Sequence, residues 1–473
     1  MLRFFLFAIT LIVGQAVVAQ TLTLQQAVTA AIGNSLAVEQ GELEMKGDEI
    51  NLYQAKMAQY PSLSAGTNLG YQFGLGVDPT TNNLVQQSIS FNSYNVNAGV
   101  TLYQGGRIKN TIAQNKQQLA SSMANIEATK QDISLQVAQS YLEAILAKEQ
   151  VGAAKSQLAS GQQQLDRLTR LIAAGSAAPA DRFELEANVA RQEQTLTQGE
   201  NAVALTLLKL RQILRLPAGQ EIDVISPESI DFAAIQLPVT TAEALYQSAI
   251  TKQASVRAAQ LAEEAAVTGI DVAKSNYYPT LSAFGQMDTR YSSSVQDIDK
   301  FDLISVEQPV TINGQNVLLG TAQATNFTFV NRPFGTQLQD FFGQNVGLSL
   351  QVPILNNGRA KSAVERAKLA LLQSQLATQQ EKQTIELNVQ QALQNATAAK
   401  SDVDASERAF QAAEAAYDAA QKRNELGAGS TFDLTNAQIL LEQAQITLIR
   451  ARYQYLFNVK VVDFYLGRPL QLD

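Results

Sequence analysis

The stretch "AKMAQYPSLSA" at residues 55–65 recurs as "AKSNYYPTLSA" at residues 273–283, 218 positions later. Solenoid repeats have periods of a few tens of residues, so a period this long marks two copies of a domain-sized unit. Downstream a second register holds. Gly106-Arg107 matches Gly358-Arg359, Gly175 matches Gly427, Asp181 matches Asp433, and Leu214 with Pro217 matches Leu466 with Pro469, each pair 252 apart. A constant offset means that neither copy has gained or lost a net residue between these markers. Length itself is constrained, as for an element that must reach a fixed distance.

Between the markers the composition is that of helix. Residues 107–174 contain no proline and residues 359–426 neither proline nor glycine, while Ala, Leu, Gln, Glu and Lys dominate. At ~1.5 Å per residue each run spans about 100 Å. Leu158, Leu165 and Ile172 recur every seven residues with Leu168 between, and Phe410 and Tyr417 stand at matching places, which predicts coiled packing. A solvated rod or fibrous dimer fits the helix pattern as well. Gly175-Ser176 and Gly427-Ala428-Gly429-Ser430 carry the stop-and-restart signals of a hairpin, and return helices follow at about 180–215 and 432–466. Opening helices are expected at about 24–58 and 241–276, the second started by a capping box of Thr240 and Glu243.

The prolines of the quoted motif end those opening helices. Tyr60-Pro61 and Tyr278-Pro279 remove a backbone donor and push the preceding residue out of helical geometry. The period then changes to two. Leu63, Ala65, Thr67, Leu69, Tyr71 and Phe73 alternate with small and polar residues, as do Tyr94, Val96, Ala98, Val100 and Leu102. Leu281, Ala283 and Met287, then Val346, Leu348, Leu350, Val352 and Ile354, repeat the pattern in the second half. Four strands in two hairpins result, with polar loops at about 78–87 and 292–340.

Composition narrows the function. The formal net charge is −8, so nothing points to a nucleic acid partner, whose backbone would call for a basic face. Histidine and cysteine are absent, so histidine general bases, thiol nucleophiles and the usual zinc ligands cannot be built. No cofactor or metal site is expected, and no enzyme. Residues 1–20, MLRFFLFAITLIVGQAVVAQ, read as a signal peptide: Arg3, an apolar run, and small residues Val17 and Ala19 for cleavage. An N-terminal anchor would need a run of ~20 apolar residues. An exported chain with one greasy strand face fits either a soluble sheet or a membrane barrel wall. The absence of any segment to cover the strands favours the wall. Four strands cannot close a barrel and eight would fill their own interior, so an aqueous conduit needs at least three copies.

The duplicated order of helix, Tyr-Pro, strand hairpin, Gly-Arg, very long helix, glycine turn, shorter helix and Leu-x-x-Pro resembles the TolC family of outer membrane efflux proteins. The resemblance implies a mainly α chain with a transmembrane β part. It implies a homotrimer whose twelve-stranded barrel, in outer membrane lipid, continues into a twelve-helix coiled-coil tunnel across the periplasm of a bacterial cell. Implied partners are a periplasmic adaptor, or membrane fusion protein, and an inner-membrane transporter of the RND or ABC type. The units become a first repeat at 21–217 (strand hairpin about 62–104, helical hairpin 107–215) and a second at 241–473 (about 280–355 and 359–466). A linker near the tunnel equator, 218–240, joins them. The family's tip pattern G-x-x-[ST]-x-x-D-[VL]-x-x-A is met by Gly427, Ser430, Asp433, Leu434 and Ala437. The resemblance thus puts Asp433 and Asn436 at a pore constriction, and Gly175, Ser176, Asp181, Gly427, Gly429 and Ser430 at tips that meet the adaptor. Asn436 and Gly429 stand where some members have a second aspartate and a basic gate lock. The helix-to-strand transitions are Tyr60, Pro61, Gly106, Arg107, Tyr278, Pro279, Gly358 and Arg359. The rival reading is an exported coiled-coil envelope or adhesion protein without a conduit.

Overall fold

The computed structural model describes residues 20–473 apart from 78–81, 87, 177, 226–231, 233, 239, 427, 469 and 471–473. All of the expected signal peptide except Gln20 lies outside the described residues, as do Gly427 and Pro469. In chain order the first half forms β1 (Gln20–Leu22), α1 (Leu24–Gly33), α2 (Leu36–Met57), β2 (Ser62–Gln72), β3 (Leu75–Val77), β4 (Leu84–Gln86), β5 (Ile89–Gln104), α3 (Arg107–Ala173) and α4 (Asp181–Ile213). Then follow β6 (Ile222–Val224), α5 (Ala242–Lys252), α6 (Ala254–Lys274), β7 (Thr280–Ser292), β8 (Gln296–Ile312), β9 (Gln315–Asn331), α7 (Phe334–Asp340), β10 (Gly343–Gln351), α8 (Arg359–Glu425) and α9 (Thr431–Tyr465). Helices α3 and α8 are 67 residues each, the equality that the constant offset demands.

The chain divides into two compact units. One is helical and comprises residues up to Glu49, Lys116–Ala265 and Ala370–Asp473. Its largest core gathers Val137, Tyr141, Ala144 and Ile145 of α3, Leu210 of α4, Leu214 just beyond it, and Ile222 and Val224 of β6, all buried. A second cluster joins Leu245 and Ala249 of α5, Val389 and Ala396 of α8 and Val462 of α9. Strand β6 lies inside the expected linker and pairs in parallel with β1. The opening helices, expected to be continuous, are each broken. Asn34 caps α1, its N–H donating to Ala30 O and Ile32 O, and Gln253 turns extended between α5 and α6. The expected Thr240–Glu243 box is displaced by one residue. Thr241 takes the extended conformation, and its hydroxyl accepts from Ala244 N–H at 3.1 Å. A true capping box stands at Thr23 and Gln26 instead.

The other unit, Ile50–Asn115 and Ala266–Leu369, holds one four-stranded antiparallel sheet in the order β10-β7-β5-β2. The two expected hairpins are thus fused through β5 and β7. Strands β2 and β10 are the outer members of this sheet. On the polar face the rings of Phe91 and Phe284 lie over Gly70 and Gly347. The apolar face is bare: Leu63, Leu69, Val346 and Leu348 are 66–83 % exposed.

The span 292–340, expected as a polar loop, is a correction. Strands β8 and β9 form a long antiparallel ribbon turned by Asn313-Gly314, both at positive φ, followed by α7. Gln337 of α7 is fully buried and clamps the base of this ribbon. Its side-chain amide donates to Ser292 O and Arg332 O, and its carbonyl accepts from Ser292 N–H, all within 3.0 Å. Arg332 pairs with Asp340.

Candidate functional site

The tips of the two helical hairpins belong to the helical unit. Helix α3 is stopped by a paired cap in which Ser176 N–H donates to Leu171 O at 2.8 Å and Gly175 N–H to Ile172 O at 2.9 Å. Gly175 sits at φ +75°, the left-handed conformation this cap requires. At the second tip Ala428 N–H donates to Arg423 O at 2.9 Å, the same bond 252 residues on. Gly429 packs against the end of α8: a Cβ there would lie 3.1 Å from Asn424 N and 3.2 Å from Arg423 Cβ. A bulky basic residue in its place would have to move that backbone.

The return helices start differently. Ser430 caps α9, its hydroxyl accepting from Asp433 N–H at 3.1 Å, whereas Ala180 before α4 offers no side-chain cap. Asp181 with Glu184, and Asp433, are the acidic groups of the two first turns, where exposed helix N–H groups favour negative charge. Asp433 and Asn436 are exposed one turn apart on α9, with Leu440 below them, while Thr435 and Gln438 of the opposite face are buried. This geometry presents a carboxylate and an amide on one wet stripe of the helix.

Behind that stripe lies a polar layer that single residues did not announce in the sequence. Gln164 of α3 donates to the Tyr417 hydroxyl of α8 at 3.0 Å, and Gln157 of α3 to Gln445 of α9 at 3.2 Å. Gln192 of α4 and Gln438 of α9 both donate to Glu442 Oε1, at 2.6 and 3.0 Å. Gly161 of α3 leaves room for the Gln192 carbonyl, which a Cβ would displace. Burial pushes the Glu442 carboxyl above its ordinary value near 4.5, against the two amide donors and Arg191, which pull it down. The folded state therefore holds the proton more tightly than the unfolded chain. Its contribution to stability is full below pH ~4.5 and is lost as pH rises through the folded-state value. Glu442→Gln is expected to flatten this dependence. Amide protection factors across α4 and α9, each referred to the intrinsic exchange rate at its own pH, should rise from pH 7 to pH 5 in the native chain and change little in the variant.

The transition residues lie in the sheet unit. Tyr60 N–H closes the last turn after α2 onto Met57 O at 2.9 Å, and Pro61 precedes β2. Tyr278-Pro279 stands in the same place before β7. Strands give way to helices through paired left-handed residues, Gly105-Gly106 before Arg107 and Asn357-Gly358 before Arg359. The structure brings Gly105 against Tyr278 and places Arg107 Nη1 3.5 Å from Asn276 Oδ1. Among the described residues no helix is long and apolar enough to cross a membrane, and no group of three or more acidic residues could hold a metal ion.

The family model for outer membrane efflux proteins matches residues 27–214 and 245–468, one segment in each repeat. The chain belongs to the outer membrane efflux protein family. Membership makes it an outer membrane channel protein of tripartite efflux. No curated protein matches the sequence. Solved structures share the fold at low identity. CusC, whose structures concern transmembrane channel formation, is 17 % identical over 94 % of this chain and 92 % of its own, with a TM-score of 0.73. VceC from Vibrio cholerae is 14 % identical over 95 % and 97 %, with a TM-score of 0.70. The open state of MtrE from Neisseria gonorrhoeae is 17 % identical over 95 % and 90 %, with a TM-score of 0.69.

Proposed function

We propose that three copies of the chain join their sheets into a twelve-stranded barrel and their helices into a twelve-helix tunnel. The product is a passive exit duct that docks to a periplasmic adaptor and an inner-membrane transporter of the RND or ABC type. One observation carries this reading: a four-stranded sheet with a bare apolar face and two outer strands, β2 and β10, that have no further neighbour in the sheet. In lipid each unpaired amide at such an edge costs several kcal/mol, so the sheet must be completed by other copies. The helices support it. Leu36, Leu43 and Ile50 of α2 recur every seven residues, and Leu369, Leu372 and Leu376 follow one face of α8; all six are 54–66 % exposed. An envelope rod without a conduit would leave the bare strand face unexplained.

In this duct Asp433 and Asn436 form rings about the axis, and the three Asp433 carboxylates attract cations as acidic rings do in cation-selective pores. The tips with Gly175, Ser176, Gly427, Gly429 and Ser430 meet the adaptor. Leu426, Phe183 and Phe432, 83 %, 72 % and 62 % exposed near those turns, supply apolar contact area that the sequence pattern did not single out.

Planar-bilayer recording of the purified protein tests the reading. The native chain should conduct with cation preference. Asp433→Asn should lower the cation-to-anion permeability ratio on the order of fivefold, for about 1 kcal/mol of attraction between unit charges at ~4 Å in water. An unchanged reversal potential would remove Asp433 from the constriction, and absence of any conductance would remove the duct.

A further inference from the structure

Strands β8 and β9 form a two-stranded sheet of their own, apart from the four strands of the wall. Their register sorts the side chains by face. Directly opposed residues of an antiparallel pair share a face, so Ile298 goes with Phe329, Phe301 with Phe327 and Leu303 with Thr325. An irregularity between Ile298 and Lys300 puts one extra residue into β8, which brings Ile298 and Phe301, three positions apart, to the same side. The result is a bare apolar patch at the base of the ribbon. Ile298, Phe301, Leu303, Phe327 and Phe329 are 46–68 % exposed, and the two rings of β9 lie 6.4 Å apart. The other face of the same stretch carries Lys300, Asp302, Asn326 and Thr328. Farther out the first face turns polar, with Ser305 opposite Gln323 and Glu307 opposite Thr321.

The patch begins where the apolar face of the wall ends. Toward the ribbon that face closes in aromatic rings: exposed Tyr71 and Phe73 stack at 6.4 Å, and Tyr291 meets Phe334 of α7 at 5.1 Å. At the opposite ends of the strands stand Tyr60, Tyr103, Tyr277 and Tyr278, all exposed. Barrels in lipid carry such rings at both interfaces of an apolar band ~25 Å tall. The ten steps from Pro61 to Tyr71, at ~3.4 Å each and tilted by ~40°, rise about 26 Å, so the two sets of rings stand one such band apart. Ser293 N–H still donates to Ser90 O beside β5 at 2.9 Å, and Val295 is buried, so β8 starts directly at the ribbon-side rings.

We infer that the ribbon of each copy rests by this patch on the cell-surface leaflet of the outer membrane, as a foot beside the barrel. The inference rests on the barrel proposed above, whose apolar face meets lipid. Lipid is the occupant because the patch prolongs the lipid-facing wall past its aromatic rings with the same kind of side chain, while the opposite face keeps its charges in water. The ribbon sinks no deeper than the headgroups. The outer edges of β8 and β9 have no strand neighbour, and their unpaired amides would be costly in hydrocarbon. Gln337 and the Arg332–Asp340 pair hold the base, so the patch is carried on a fixed arm. A two-stranded hairpin is marginal in water, and the lipid surface supplies the apolar cover it lacks.

Tryptophan fluorescence tests this, because the chain has no tryptophan of its own. Four single-tryptophan variants of the full chain are placed in phosphatidylcholine vesicles whose acyl chains carry bromine either near the headgroup or near the chain end. Phe301→Trp and Phe329→Trp report the patch, Leu348→Trp the wall and Leu318→Trp the far end of the ribbon. The two patch reporters should lose more than half of their emission to bromine near the headgroup, less to bromine near the chain end, and little to aqueous iodide. Leu348→Trp should respond most to bromine near the chain end, and Leu318→Trp to iodide alone. Quenching of both patch reporters by iodide alone puts the face in water, and quenching by neither agent puts it against protein, a second copy included. Either result overturns the inference while Leu348→Trp still reports a wall in lipid. If Leu348→Trp also escapes bromine, the barrel reading falls and the inference with it.

Discussion

A chain carrying Leu348→Arg is expected to be exported yet to yield no heat-resistant oligomer in the outer membrane. Leu348 lies near the middle of β10, 68 % exposed, on the face it shares with Val346 and Leu350. If that face meets hydrocarbon, an arginine near the midplane costs about 2–4 kcal/mol per strand. Three copies repeat the cost around one barrel, giving about 6–12 kcal/mol, comparable to the whole stability of an ordinary domain. Ser349→Arg is the control. It changes the adjacent residue but points to the polar face, so it should assemble and alter only the conductance. Gel mobility of unheated outer membrane fractions separates the two outcomes. Equal assembly of both variants would mean that the apolar face meets protein or water.

The strand faces and the long helices were legible because both are long and periodic. The two 67-residue helices begin at the arginines that the repeat marked, and the first of them stops at the Gly175 turn. What escaped was short or overridden. Strands β1 and β6 have three residues each, too few for any period. The break at Gln253 has no turn residue; it is held from outside, by Gln131 Oε1 accepting from Ala254 N–H at 3.2 Å. The ribbon of β8 and β9 was readable in principle. Its Asn313-Gly314 turn is a strong hairpin signal, but the alternation around it is diluted by Asp, Gln and Thr, and composition made it look like loop. At the site, the Gly175 cap and the Ser430 cap follow from local chemistry and were readable one by one. The glutamine layer around Glu442 was not. Gln157, Gln164, Gln192 and Gln438 look like any solvated helix glutamine until four helices place them together.

The missed linker strand also supplies the largest stability effect in the helical unit. Tyr141 of α3 is 1 % exposed, and its hydroxyl lies 2.8 Å from Leu22 O and 3.0 Å from Ile225 O, bridging β1 to the end of β6. Two turns on, Lys148 holds Asp223 at 2.8 Å and donates to Val224 O at 3.0 Å. One helix face therefore fastens β1 and the strand between the repeats, β6. Tyr141→Ala empties a ring-sized space in the cluster of Val137, Ile145, Leu214 and Val224 and leaves Leu22 O with only the 3.3 Å bond from Ile225 N–H. By analogy with buried aromatic truncations it should cost about 3–5 kcal/mol. Tyr141→Phe keeps the ring and should cost about 1 kcal/mol, the net worth of an ordinary hydrogen bond. Hydrogen exchange at residues 20–25 and 222–225 reads both variants locally. Alanine should abolish protection there and phenylalanine only reduce it. If the two variants behave alike, the hydroxyl bridge rather than the packing holds the strands, because phenylalanine restores everything except that bridge.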